Sequence, residues 1–237
     1  MTNEIKPLLP FVFPFCDANR KFLRPNQLLK SRTFSLIYLS IIFLIWYFFG
    51  YGHWGGHRCE TLGEQLACAS AIWPDKLFSA PHEYLLSFLT SPFFHNDWPH
   101  LKLVSIGFVV FCQSFEARAG TKSTIFLFFS SIAFTGLIMG LIMNIGYFFS
   151  PDAELFLGAM GRSWMGGSVG MMGILGALSH QSKNKWLIPI IVVLFEIWNR
   201  SYNGMNIYIT FGHLSSFLFG FLSWGLWLNL NEKSNFV

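Results

Sequence analysis

Between Ser123 and Phe149 the chain reads STIFLFFSSIAFTGLIMGLIMNIGYFF, 27 residues without a charge. Roughly 20 apolar residues in a helix cross a bilayer core, so this run spans with room to tilt. It shows no alternation of period two, which speaks for a helix and against a strand of a β-barrel. Five further runs read the same way: 34–52, a clear first span; 100–115, polar at its start; 164–178, rich in Gly and Met; 186–198, which is short; and 206–228. Composition agrees. Of 237 residues 53% are hydrophobic, 19% aromatic and only 12% charged. A charged share about half that of soluble proteins leaves too little polar surface for a fold in water. Disordered chains, collagens and disulfide miniproteins are excluded by the same numbers. The expected fold is an all-α polytopic membrane protein with six transmembrane helices over 34–230. A polar tail, 1–33, precedes it and a short tail, 231–237, follows. With so long a tail ahead of it, the first span does not read as a cleaved signal peptide.

Lys and Arg set the orientation. With the N-terminus inside, five of the 16 basic residues fall outside: Arg58, Lys76, Lys102, Arg162 and Arg200. The other eleven fall inside, which places both termini in the cytoplasm. Those beyond the N-terminal tail are scattered, so nucleic acid is not an expected partner. No organelle-targeting pattern is visible, which favours a bacterial inner membrane. The long connection 51–94 lies on the outer side and carries Cys59 and Cys68. A disulfide between them is chemically allowed in an oxidising compartment, and two free thiols remain the alternative. Cys16 and Cys112 fall elsewhere. His53 and His57 have the i,i+4 spacing of a metal pair, but Gly55 and Gly56 between them point to a loop. No metal and no cofactor is expected.

Polar groups inside a membrane are costly and default to functional hypotheses. Three places stand out: His95 and His100 at the head of the second span, Ser168 within Gly166-Gly167-Ser168, and His213 within Gly212-His213-Leu214-Ser215-Ser216. The spans holding His100, Ser168 and His213 all begin on the outer face. At 1.5 Å per residue, Ser168 and His213 lie roughly 8–10 Å below it, with His100 somewhat higher. A hydroxyl and two imidazoles at similar depth suit a Ser–His nucleophilic pair with an electrophilic helper. The glycines flanking Ser168, with Gly220 after His213, would let the fourth and sixth helices approach closely. Glu116 and Glu196 fall near helix ends and read as structural.

Four stretches carry a resemblance to a known family. Thr90-Ser91-Pro92-Phe93-Phe94-His95-Asn96-Asp97-Trp98-Pro99-His100 resembles the T-x-x-F-x-H-x-x-x-x-H opening of the second helix in the rhomboid family of intramembrane serine proteases. Phe115-Glu116-Ala117-Arg118-Ala119-Gly120-Thr121 resembles its L-E-x-x-x-G-S loop. Gly166-Gly167-Ser168 resembles its G-x-S motif, with Gly173 following. Gly212-His213-x-x-Ser216-x-x-x-Gly220 resembles its A-H-x-x-G-x-x-x-G helix. No single motif is specific, but four in order over about 83–228 are. The resemblance implies a six-helix rhomboid-like bundle with Ser168 as nucleophile and His213 as general base, a pair without a third carboxylate. His100 and the Ser168 backbone N–H would stabilise the oxyanion. His95, Gly166 and Gly220 would be structural neighbours. The fifth helix and the loop 199–204 after it would gate access for a substrate helix arriving from lipid. Partners would then be transmembrane protein substrates and the bilayer.

The sequence also departs from the family pattern. Val104 stands where the family has Asn four residues after the second His, and Ser105 follows it. Val169 replaces the Gly after the serine, Met172 the aromatic that stacks on the catalytic His, and Leu86-Ser87 a Trp-Arg pair. Two functions follow. One is an intramembrane serine endopeptidase, favoured by Ser168 and His213. The other is a noncatalytic rhomboid-like protein that binds transmembrane clients, towards which Val104 leans. A transporter lacks support from any inverted repeat or mid-membrane carboxylates. Neither H-E-x-x-H nor G-x-G-D occurs, so zinc and aspartyl intramembrane chemistry have no motif.

Overall fold

The computed structural model describes residues 6–50 and 59–234. In chain order the helices are α1 (Pro25–Ser31), α2 (Thr33–Phe49), α3 (Leu62–Ser70), α4 (Lys76–Ser79), α5 (Pro81–Thr90), α6 (Trp98–Gly107), α7 (Gln113–Ala119), α8 (Thr121–Phe149), α9 (Glu154–Met160), α10 (Ser168–Leu178), α11 (Leu187–Asn203) and α12 (Ile207–Ser234). A π-helical segment, Phe108–Cys112, joins α6 to α7. Extended pairing among the described residues is confined to two isolated bridges, Cys16 with Phe22 and Ile72 with Trp164. His53 and His57 lie outside the described residues.

The polarity is that of a chain dissolved in lipid. Phe126 and Phe148 are 74% and 79% exposed, whereas Glu116 is 1% exposed and Ser114, Thr124, Ser131 and Ser216 are wholly buried. Large apolar side chains face outward because the surrounding solvent is apolar, while polar groups are drawn inside. This is an integral membrane protein.

Each of the six apolar runs holds a helix among its described residues, but the helix lengths differ from the expectation. Only α8 and Ile207–Asn231 within α12 are, among the described helices, long and apolar enough to cross a membrane alone. The pair α1–α2, bent by 85°, adds a third if it counts as one span. The others fall short for visible reasons. The second run is interrupted by the π segment. The fourth is 11 residues long because its helix starts at Ser168 rather than at 164. The fifth, α11, has 17 residues and carries Glu196, Asn199 and Arg200.

The chain gathers into two compact units. The first comprises Met1–Ser35, Phe108–Ser131 and Val169–Val237. Its centre includes Phe34, Phe108 and Phe128, with ring centroids 5.3–5.9 Å apart. Glu116 caps α2: its carboxylate accepts from the backbone N–H groups of Phe34 and Ser35 at 2.8 and 3.0 Å and from Ser35 Oγ at 2.7 Å. These are donors that a helix start leaves without intrahelical partners. The segment read as a polar tail is tied down. Backbone N–H of Lys183 donates to Pro7 O at 2.8 Å, and Ser182 Oγ donates to Leu8 O. Val12 N donates to Ser114 Oγ at 2.9 Å. Buried Arg32 donates to Cys16 O and Gln113 Oε1 at 2.8 and 2.7 Å.

The second unit comprises Leu36–Gly107 and Ile132–Ser168. Here the described part of the connection, 59–94, is largely helical, holding α3, α4 and α5. Thr61 and Glu64 form a capping box at the start of α3, a local signature that fixes a short helix without an apolar stripe. Cys59 and Cys68 form a disulfide across that start, which settles the alternative left open by the sequence. Gly136 and Gly140 of α8 leave room for Phe88 and Tyr84 of α5, and Tyr84 Oη donates to Gly136 O at 2.6 Å.

Candidate active site

In the second unit the backbone around Trp164 is extended, not helical. Ile72 and Trp164 exchange N–H···O bonds of 2.8 and 2.9 Å, and Gly166 N–H donates to Ser91 O at 2.9 Å. Gly166 has φ +101°, a conformation that side chains with a Cβ rarely adopt. This strand-like approach delivers Ser168 as the first residue of α10. Ser168 is buried, and its backbone N–H belongs to the turn whose donors no helix carbonyl serves. The glycine also makes space: a Cβ on Gly166 would overlap Cε1 of His100 and stand 2.9 Å from its Nε2.

His100 occupies the first turn of α6. Asp97 precedes the helix, and its Oδ1 accepts from His100 N–H at 2.7 Å. This N-cap, followed by Pro99 in the first turn, explains why the helix begins where it does. The His95 ring lies edge-on to that of His100, with centroids 5.1 Å apart. Burial, then the neighbouring His100, push the His95 imidazole well below its ordinary range, which keeps it neutral and suits a structural neighbour. Gly166→Ala should cost about 1–3 kcal/mol through strain and collision with His100. Thermal unfolding of the variant measures this, and a change within about 0.5 kcal/mol would contradict the packing described.

In the first unit α12 meets both α10 and α11. A Cβ on Gly220 would overlap the backbone of Gly173, with the carbonyl carbon at 2.6 Å and Cα at 2.9 Å, and a Cβ on Gly176 would meet the α12 backbone at Phe217 and Phe221. Only glycine permits this approach of two helix backbones. Ser216, which stands where the family pattern has glycine, donates its hydroxyl to Val169 O in the first turn of α10. His213 lies one turn before Ser216 on α12 and is buried. Its Nδ1 is 2.8 Å from Glu196 Oε1.

Glu196 is the residue that sequence reasoning misplaced. It is not near a helix end, because α11 continues to Asn203 and closes on Gly204 in the left-handed conformation, φ +64°. The expected loop 199–204 is therefore helical up to Asn203, and the connection to α12 is Gly204–Asn206. Ile188, Val192, Glu196 and Asn199 recur every three or four residues and form the buried face of α11. That spacing was the available signal. Ser105 does not replace the missing Asn donor, since its hydroxyl donates to Leu101 O at 2.7 Å. Val104 is wholly buried.

A family profile described as the Rhomboid domain matches residues 82–229. The chain belongs to the rhomboid family. The match runs from the first turn of α5 through most of α12 and includes His95, His100, Ser168, Glu196 and His213. No curated relative matches, and no solved structure does. Rhomboid-family proteins are mostly intramembrane serine proteases, with inactive members among them. This rhomboid-family chain keeps the serine and all three histidines of the motifs and differs at Val104 and Val169.

Proposed function

We propose that this rhomboid-family protein is an intramembrane serine endopeptidase that cleaves transmembrane segments of other membrane proteins. The observation that carries the reading is the family match over 82–229 with Ser168 and His213 both retained in their motifs. The glycine-mediated contact of α10 with α12, the helices that bear them, supports it. Ser168 Oγ attacks the scissile carbonyl carbon and gives its proton to His213 Nε2, while the carbonyl π pair moves onto oxygen. His100 and the Ser168 backbone N–H donate to that oxyanion. Collapse of the tetrahedral intermediate breaks the C–N bond, and His213 returns its proton to the leaving amine. Water then repeats the sequence and frees Ser168.

In this reading the six helical runs over 34–230 all cross the membrane, with 51–94 outside and both termini in the cytoplasm of a bacterial inner membrane. The basic-residue asymmetry supports this orientation, and so does a Cys59–Cys68 disulfide in that connection. Substrate enters from lipid past α11.

One observation favours a noncatalytic client-binding protein instead: Val104 and the internally bonded Ser105 leave the second helix with one oxyanion donor fewer, a loss worth about 10²–10³ in rate. A fluorophosphonate probe on the detergent-solubilised protein separates the two. Covalent labelling of the wild type, together with cleavage of a single-span substrate in liposomes, is the expected result. A protein that neither labels nor cleaves is a binder.

A further inference from the structure

We infer that Glu196 is a positioning residue for His213, so that the reaction centre is a Ser–His–Glu constellation and not the two-residue pair the family resemblance implies. This rests on the protease reading above. Glu196 Oε1 lies 2.8 Å from His213 Nδ1, and the two side chains are 1% and 7% exposed. The carboxyl sits in the middle of α11, on the face that Ile188 and Val192 fill with aliphatic carbon one and two turns earlier. An acidic group there carries a desolvation cost that a third aliphatic residue would avoid. The imidazole is the partner that offsets it. The second oxygen, Oε2, is buried and has no hydrogen-bond partner among the described residues, so the carboxyl is directed at the ring.

The contact has a chemical consequence. A carboxylate at Nδ1 holds the ring proton on that nitrogen, so the lone pair is on Nε2, the atom that must take the serine proton. It also fixes the rotation of the ring. When Nε2 is protonated during attack, the imidazolium forms beside a negative charge in a site from which water is largely excluded, where such stabilisation is strong. The Nδ1 proton stays on the ring throughout, and the carboxylate is not consumed. Glu196 touches neither substrate nor the reacting atoms and acts through His213.

The test compares wild type, Glu196→Gln and Glu196→Asp in detergent, by kcat and KM on one single-span peptide, fluorophosphonate inactivation rate and thermal midpoint. Glu196→Gln should lower kcat and the inactivation rate together, by at least about 10-fold and up to about 10⁴-fold, with KM unchanged. Glu196→Asp, which keeps the charge, should recover part of the loss. Wild-type kcat in Glu196→Gln overturns the inference while leaving the protease reading intact. So do equal losses in both variants that follow a fall in thermal midpoint. A wild type that neither labels nor cleaves removes the protease reading and the inference with it. Should Glu196→Gln fail to fold, the tautomer of His213 in the wild type decides. It is read from imidazole ¹⁵N shifts and assigned with His213→Gln. A proton on Nδ1 alone supports the role, and a proton on Nε2 overturns it.

Discussion

Under the protease reading Ser168→Ala should abolish cleavage of a single-span substrate, lowering turnover by about 10⁴-fold or more, and should remove fluorophosphonate labelling altogether. Magnitudes of this size follow when a serine nucleophile is lost and only binding and the oxyanion donors remain. The substitution removes one oxygen from a small side chain and keeps a residue suited to helix α10, so folding should survive: a thermal midpoint near that of wild type is part of the expectation. Gly166 and His100 are positioned by backbone bonds to Ser91 and by the Asp97 cap, neither of which involves the hydroxyl. Retention of full activity in purified Ser168→Ala would end the nucleophile assignment, and among the described residues no other serine stands in a G-x-S context at the start of a helix.

The second large effect is structural. Gly220→Ala introduces a Cβ into space held by the Gly173 backbone, at 2.6 Å from its carbonyl carbon. A side chain can rotate out of such a collision, but a helix backbone cannot. α10 and α12 must therefore separate, or one must bend, and the tightly packed turns around Ser131, Gly173 and Ser216 lose contact together. Overpacking commonly costs 1–3 kcal/mol, and a backbone-to-backbone clash belongs at or above the top of that range, about 3 kcal/mol. Gly161→Ala is the control, since its Cβ would meet one atom, Leu157 O, at 4.0 Å. It should stay within about 0.5 kcal/mol of wild type. Equal unfolding midpoints for Gly220→Ala and Gly161→Ala in the same detergent would refute the close approach.

What the sequence made legible, and what it hid, has a common physical basis. The long helices were readable because a lipid-facing helix must be apolar over its whole length, and 27 uncharged residues leave one solution. Ser168, His213 and His100 stand out as candidates because polar groups in such runs are conspicuous. The start of α10 was hidden. Trp164, Met165, Gly166 and Gly167 carry no charge, so hydropathy cannot see that a positive φ at Gly166 and a bridge to Ile72 keep them out of the helix. Glu196 was hidden for the opposite reason: Asn199 and Arg200 shortly after it resemble the polar end of a span, although the helix runs on to Asn203. The helices of 51–94 are short and owe their limits to capping and to neighbours, information that periodicity in a short window does not hold.

The clasp that residues 7–12 make also orders events in time. Leu8 and Ser182 are 174 residues apart in sequence. At a synthesis rate of about 5–20 residues per second, the partner of Leu8 is made about 10–35 s after Leu8 itself. During that interval the segment has no Ser182 or Lys183 to hold, and the loop it must close is a long one. The fastening at Pro7 and Leu8 therefore waits for residues translated well after its own. It can close only on a chain already made through Lys183, beyond the C-terminal end of α10. A ribosome stalled before that point holds a protein whose N-terminal strand of the clasp is still open to proteases.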